Sequence, residues 1–410
     1  MIRNCLIISA CVLSSFSFGN NEWVKIKKFE GGERERTVSF SIGGRGYVGM
    51  GQDSISAMRR DLWEYDPGVN SWTQKANCTG IARRNASAFV IGTTAYVCCG
   101  VDNAISWMGN VLNDMWAYSP ITNTWTARAA CPIQNWGVYY GVSFSLNGYG
   151  YICTGKYAPS TYSVQNWRYD PVGNFWQQMA PFPGGVRYGA CGFVIGGDAY
   201  MGTGADENAF TDDFWKYNGA TNTWTAIADF PASARFTCSA FSINGLGYVA
   251  LGTDGGFKDE LFEYDPVQNS WQQRKNFSGD PRRNAAAFVI GYKAYVGTGN
   301  SATTNGVRRD FYQYTPWAPL STGNGVNGDF PSKIFPNPVV DVATLEFEVP
   351  EGEELFSISI YDISGKKMRE EFTGPVQSYT LERGNLAAGN YFAKLITSGG
   401  FSSSVKFIVK

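Results

Sequence analysis

Among 410 residues there is no histidine, which removes histidine-dependent catalytic triads and histidine-ligated zinc or copper from consideration. The residues left that could do chemistry form columns. Six residues before a recurring Phe stand Arg34, Arg83, Val138, Arg187, Arg235 and Arg282, so five of six copies carry Arg. The position after each holds Glu35, Arg84, Tyr139, Tyr188, Phe236 and Arg283. A guanidinium offers a rigid fork that grips a carboxylate through two hydrogen bonds. A ring of such groups with aromatics beside it suits an anionic sugar or another carboxylate. The same column would also arise if each Arg bonds carbonyls and carboxylates between blades, and its recurrence with the fold favours that packing role. A second column, Asp61, Asp114, Gln165, Asp213, Glu260 and Asp310, opens a strand in each copy, where a carboxylate commonly caps backbone N–H groups. The acidic loops at Asp206-Glu207 with Asp212-Asp213, and at Asp254 with Asp259, lack EF-hand spacing, and no metal or other cofactor is expected.

Positions that break the repeat are better bets for specificity. The insertion from Val101 to Asn113 holds Trp107 and Met108, and Trp136, Tyr139, Tyr140, Tyr157 and Tyr162 gather in the copy that lacks the Arg. Loop aromatics stack on sugar rings, although packing between blades would use them too. The expected ligand contacts are therefore Arg34, Arg83, Arg187, Arg235, Arg282, Tyr139, Tyr188, Trp136 and Trp107. The one carboxylate in the second position, Glu35, is the candidate acid–base group should the site be catalytic.

The elements that hold these columns repeat. Asp61-Leu62-Trp63-Glu64-Tyr65-Asp66-Pro67-Gly68-Val69-Asn70-Ser71-Trp72 recurs around Tyr118 and Trp125, Tyr169 and Trp176, Tyr217 and Trp224, and Tyr264 and Trp271. Upstream, the segment from Phe40 to Gly51 recurs at Phe89, Phe144, Phe193, Phe241 and Phe288. Short runs of Phe, Tyr, Val and Ile broken by Gly predict four antiparallel strands per copy, and a fixed period near fifty residues predicts a propeller. The sixth copy has Tyr314 but Ser321 where a Trp is due, while Trp23 stands 17 residues before Phe40, as Trp72 does before Phe89. The N-terminal strand thus completes the last blade, and the ring closes without a free sheet edge.

Residues 1–19 read as a signal peptide, with Arg3 ahead of an apolar run too short to span a bilayer and small residues near the cleavage point. Residues 20–316 form the propeller, 317–333 a Gly-, Pro- and Asn-rich linker, and 334–410 a small β-sandwich with period-two alternation, as in Thr344 to Val349. No later hydrophobic span follows, and a net charge of −1 favours neither nucleic acid nor an anionic membrane. Seven cysteines lie beyond the signal, in columns where other copies carry Gly, Ala, Ser, Thr, Val or Phe. They read as small buried hydrophobes, with a Cys78–Cys131 bridge as the alternative.

The pattern Gly-x-x-Ala-Tyr-Val-x-x-Gly, then Asp-x-Trp-x-Tyr-Asp-Pro-x-x-Asn-x-Trp, resembles kelch repeats. The resemblance implies an all-β, six-bladed propeller and leaves function open, since such propellers serve many roles. Lack of histidine rules out the copper-radical oxidase found on some of them. The segment from Phe335-Pro336-Asn337-Pro338 through Ile360 to Lys366, Leu386 to Phe392 and Lys406 to Lys410 resembles the C-terminal sorting domain of type IX secretion. This implies outer-membrane passage by that machinery to the medium or cell surface. The expected function is a non-catalytic binding module for a glycan or protein partner. A sugar mutarotase or epimerase working at the Arg-rimmed mouth is the alternative.

Overall fold

The computed structural model describes residues 21–102, 110–158, 160–302, 306–316, 330–349, 353–362, 367–372, 376, 378–397 and 401–410. The segment expected to be a signal peptide and most of the linker lie outside the described residues.

The chain is all-β, a six-bladed propeller followed by a small sandwich. Six four-stranded antiparallel sheets make the blades, five of them built in chain order from the axis outwards. Their innermost strands are Val38–Ile42, Ser87–Ile91, Val142–Leu146, Cys191–Ile195, Ser239–Ile243 and Ala286–Ile290, one for each of blades 1 to 6. Each innermost strand touches the next, and the sixth touches the first, so the ring is closed. Blade 6 takes its outer strand from the other end of the propeller: Glu22–Lys25 pairs with Phe311–Thr315, setting Trp23 opposite Tyr314.

Aromatic residues fix blade spacing. On each inner pair of strands a Phe lies over a Tyr, as Phe40 over Tyr47 at 5.1 Å and Phe89 over Tyr96 at 5.3 Å between ring centroids. The next blade must accommodate that Phe. A Cβ on Gly150 would come within 2.0 Å of Phe89, and one on Gly247 within 2.1 Å of Phe193, so the side chain missing at these positions is what lets neighbouring blades approach. The outer rim is fastened by one Asn per blade in a left-handed turn. Asn70 Oδ1 accepts from Tyr65 Oη at 2.8 Å in its own blade and from the Lys27 N–H at 3.0 Å next door. Asn123, Asn174, Asn222 and Asn269 do the same. The sixth fastener is Asn21, which accepts from Tyr314 Oη at 2.6 Å and the Lys275 N–H at 3.4 Å.

In the C-terminal domain a three-stranded sheet (Ser332–Phe335, Val342–Phe347, Ser378–Glu382) accompanies a four-stranded one (Lys367–Phe372, Leu355–Asp362, Gly389–Thr397, Ser402–Val409). Alternate residues such as Leu345, Ile358, Leu381, Leu395 and Phe407 meet in its core, as the period-two pattern requires. Asn337 accepts from the Ile408 N–H at 2.9 Å, tying the domain's first motif to its last strand. Of the motif from Ile360 to Lys366, residues 363–366 lie outside the described residues.

Candidate functional site at the crown of the channel

All six innermost strands start at the same mouth of the channel, and the residue two places beyond each Arg column position sets its width. Arg36, Asn85, Tyr140, Gly189, Thr237 and Asn284 all have left-handed φ between 54° and 63°. That conformation turns each N–H toward the carbonyl of a neighbouring blade's equivalent residue. Arg36 donates to Asn284, Asn284 to Thr237, Thr237 to Gly189, Gly189 to Tyr140, Tyr140 to Asn85 and Asn85 to Arg36, at 2.7–3.2 Å. Six backbone hydrogen bonds therefore close a collar round the axis.

Above the collar, each blade adds a short antiparallel ladder. The ladders run Glu35–Gln52–Met58, Arg84–Val101–Val111, Tyr139–Lys156–Tyr162, Tyr188–Ala205–Phe210, Phe236–Thr253–Phe257 and Arg283–Asn300–Val307. The crown is thus two-sided. One arc is aromatic: Tyr140 lies 5.9 Å from Tyr188, Tyr188 5.7 Å from Phe236, and Tyr162 is stacked on Tyr188 at 5.3 Å. Lys156 Nζ sits over Tyr162 and Tyr188 at 5.3 and 5.4 Å. Burial, with Tyr140 and Tyr162 beside it, pushes the Tyr139 hydroxyl up to about 12, so it stays a neutral donor.

The other arc is cationic. Arg36 and Arg84 both reach Gln52 Oε1, the former at 3.3 Å. Burial, and then the nearby Arg36 charge, pull the Arg84 pKa down, which means that its charge is held at a cost. No carboxylate pairs with Arg84 or Arg283 among the described residues, and the Nε of each lacks an acceptor there. Arg283 leans over Phe257 at 5.1 Å, where the two arcs meet. Glu35 is buried; its Oε2 is 3.6 Å from Arg36 Nε and 3.4 Å from Asn284 Nδ2. Beside it a cavity of 480 Å³ opens between blades 1 and 6, lined by Glu33, Gln52, Asp53, Asn300 and Arg308 among others.

The Arg column expected to face a ligand is turned inward instead. Arg34, Arg83, Arg187, Arg235 and Arg282 are at most 2 % exposed. Arg83 grips Asp114 with both Nη atoms at 2.6 and 2.7 Å, and Arg34, Arg187 and Arg282 hold Asp61, Asp213 and Asp310 in the same way. Arg235 pairs with Glu260 at 2.7 Å. Four of these guanidiniums also lie over a Phe, as Arg187 over Phe182 at 4.5 Å. The physical reason is reciprocity: the strand-opening acids, read as caps of local backbone, are the partners of the Arg column. Burial raises the Asp114 and Asp310 pKa values, but the Arg83 and Arg282 forks outweigh it, and both carboxyls titrate below their ordinary range.

Of the other expected contacts, Tyr139 and Tyr188 stand at the crown. Trp136 is 71 % exposed, after the short turn Ile133–Asn135. Trp107 lies outside the described residues. With Tyr140 of the aromatic cluster, the crown brings in Arg36, Gln52, Arg84, Lys156, Arg283 and Asn284, which were not among the expected ligand contacts. Their signal was present: they occupy the columns in which the six copies disagree. The acidic loops serve themselves, Asp206 Oδ1 accepting from the Asn208 and Ala209 N–H groups and Asp254 pairing with Lys258 at 2.7 Å.

Comparison with known proteins agrees with this architecture. Residues 82–131 match the kelch motif, and residues 333–410 match the secretion system C-terminal sorting domain. N-acetylneuraminate epimerase of Salmonella arizonae is 40 % identical over 63 residues, a stretch that is 14 % of this chain and 16 % of that protein. The chain therefore spans well under two thirds of the curated relative it matches. The solved structure of YjhT superposes with a TM-score of 0.61 at 16 % identity, over 70 % of this chain and 95 % of that one, a likeness of fold. The chain is thus a β-propeller with a kelch motif in its second blade, followed by a C-terminal sorting domain that marks it for export to the medium or the cell surface.

Proposed function

We propose that the exported propeller is a binding module for a carboxylated sugar, free or at the end of a glycan, seated on the crown. The observation that carries this reading is the division of that crown into a cationic and an aromatic arc. Arg84 and Arg283 have no carboxylate partner among the described residues, and Arg36 stands beside them. A sugar acid has the matching two sides: its carboxylate takes a guanidinium fork, and its C–H face lies on Tyr140 and Tyr188. The short match to a protein named for N-acetylneuraminate, itself a sugar acid, is consistent with this class of ligand.

A second reading is favoured by one observation. Glu35 is the single carboxylate among the six residues that begin the crown ladders, and it borders the 480 Å³ cavity. A mutarotase or epimerase would use it to move a proton at a sugar carbon or ring hydroxyl. One set of measurements separates the two. A glycan array and calorimetry with N-acetylneuraminate, compared with a neutral hexose, should give binding that needs the carboxylate and fails in Arg84→Met. Proton exchange at the free sugar, followed by NMR, should match the buffer rate if the protein only binds. Acceleration abolished by Glu35→Gln would establish the enzyme instead. Equal affinity for neutral and acidic sugars would refute the carboxylate reading of the crown.

A further inference from the structure

Blade 2 brings three cysteines to one point. Cys98 ends its second strand, in the column of Gly49, Cys153, Gly202, Ala250 and Gly297. Cys99 follows, in the column of Met50, Thr154, Thr203, Leu251 and Thr298. Cys131 fills a column that is Phe in four copies. Consecutive side chains in a strand point to opposite faces. Cys99 escapes that rule because its φ is 66°, and its sulfur swings round to 3.3 Å from that of Cys98. The Cys131 N–H bonds to the Asn113 carbonyl at 2.8 Å, just ahead of the third strand, which delivers its thiol to the same spot. All three sulfurs lie within 4.8 Å of one another and all three residues are 0 % exposed. Phe89, Met115, Ile133, Val138 and Ile152 pack around them. The Cys78–Cys131 bridge weighed from the sequence is not supported, since Cys78 packs in a separate cluster with Met50 and Leu62.

A bond between Cys98 and Cys99 would close a ring through their shared peptide and twist it from the trans plane. Cys131 is free of that constraint. Disulfides form and persist in the compartments an exported chain crosses. We infer that the exported protein carries one disulfide in blade 2, joining Cys131 to the Cys98-Cys99 pair and leaving the third sulfur as a thiol. In the folded blade, hydrogen bonds from Cys131 and Cys98 hold the Cys99 thiol low, whereas burial pushes Cys98 and Cys131 up. The oxidant is the disulfide of an extracytoplasmic thiol oxidoreductase. The Cys99 thiolate attacks it, forming a mixed disulfide and releasing one of its thiolates. The Cys131 thiolate then attacks the Cys99 sulfur, forming Cys99–Cys131 and releasing the second. Two electrons pass to the oxidoreductase, and the two protons lost by Cys99 and Cys131 pass to the medium. The sulfurs are sealed in the finished blade, so the bond forms while blade 2 is still open. Afterwards Cys98 can displace Cys99 by exchange inside the core, with no net oxidation.

This inference depends on export and not on the ligand of the crown. The test uses the full chain secreted by an exporting host, denatured in an alkylating reagent without reductant. Trypsin, which cuts after Arg128, separates Cys131 from the peptide holding Cys98 and Cys99. Mass spectrometry should find those two peptides linked, the link absent in Cys131→Ser, and one alkylated sulfur left in the trio. The urea midpoint of the wild type should fall after reduction and refolding, while that of Cys131→Ser stays where it is. Three alkylated sulfurs, a link from Cys131 to any other cysteine, or a stoichiometric soft metal held by all three would overturn the inference. Cys153 shares the tryptic peptide of Cys131, so a second cut by chymotrypsin, after Trp136, parts the two; should Cys131→Ser fail to fold, that wild-type map decides alone.

Discussion

Arg83 and Arg84 are adjacent in sequence, identical in type and opposite in role, and replacing each by Met separates the scaffold from the site. Arg83 is 0 % exposed. It donates to Asp114 at 2.6 and 2.7 Å, to the Cys99 carbonyl at 3.1 Å and to the Ile81 carbonyl at 2.9 Å. Removing one partner of a buried pair costs about 3–5 kcal/mol, because the other charge is left alone. Asp114 is 37 % exposed and keeps the Trp116 Nε1 hydrogen bond, so water relieves part of its isolation and the lower figure applies. At roughly 2 °C per kcal/mol for a domain this large, Arg83→Met should melt about 6 °C below the wild type. Among the described residues the Arg84 side chain hydrogen-bonds Gln52, and burial and then Arg36 disfavour its charge, so Arg84→Met should change stability by less than about 0.5 kcal/mol. It removes a charge-assisted contact worth about 1.5–3 kcal/mol, hence roughly 10- to 150-fold in affinity for a carboxylated sugar. Thermal unfolding and calorimetry with N-acetylneuraminate read the two effects separately. The reasoning fails if Arg84→Met loses as much stability as Arg83→Met, or if Arg83→Met weakens binding with its melting temperature unchanged.

Acid should find the same scaffold. The Asp114 and Asp310 pKa values are depressed in the folded chain, so their contribution is complete above the unfolded value, roughly pH 4, and is lost as pH falls through the folded values. Urea midpoints should hold from neutrality to about pH 4 and drop below it, less steeply in Arg83→Met; an identical slope in that variant would contradict the assignment. Asn21→Ala removes the sixth rim fastener and should cost about 1 kcal/mol, while removal of the whole strand Glu22–Lys25 should abolish cooperative unfolding, and a truncated chain that melts like the parent would argue against closure by that strand. Gly150→Ala places a methyl against the Phe89 ring and should destabilise by about 1–3 kcal/mol, whereas Gly148→Ala, at a turn with no atom within 4 Å, meets no such clash and should cost only its left-handed backbone. Equal losses in both would show that blade contact at Phe89 is not what fixes Gly150.

The fold was legible because a propeller writes itself in the sequence repeatedly. Each Phe, Tyr-Val, Trp-x-Tyr and Trp sits at a spacing that one blade dictates, and a missing Trp at 321 with a surplus one at 23 leaves little choice but closure between the ends. The collar was not legible. It rests on left-handed φ at Arg36, Asn85, Tyr140, Gly189, Thr237 and Asn284, a set of unlike side chains whose common feature is the backbone. Cys99 hid for the same reason, because alternation along a strand would have sent its sulfur away from Cys98.

The Arg column is periodic because its partner is periodic. Blade 3 replaces the Arg by Val138 and, in the same blade, the strand-opening acid by Gln165, whose Oε1 accepts from the Trp167 Nε1 at 2.9 Å and the Gln134 N–H at 3.1 Å. The two columns change together because each is the other's partner. A carboxylate kept in place of Gln165 would be an acid without its cation, and a guanidinium kept in place of Val138 would be a buried cation without its acid. A residue fixed by such a partner inside every blade has no fork left to offer a ligand. A ligand bound on the axis is asymmetric, and six equal blades cannot fit it unless they differ where they touch it. Recognition therefore belongs to the columns that disagree, in which Glu35, Arg84, Tyr139, Tyr188, Phe236 and Arg283 stand side by side at the crown.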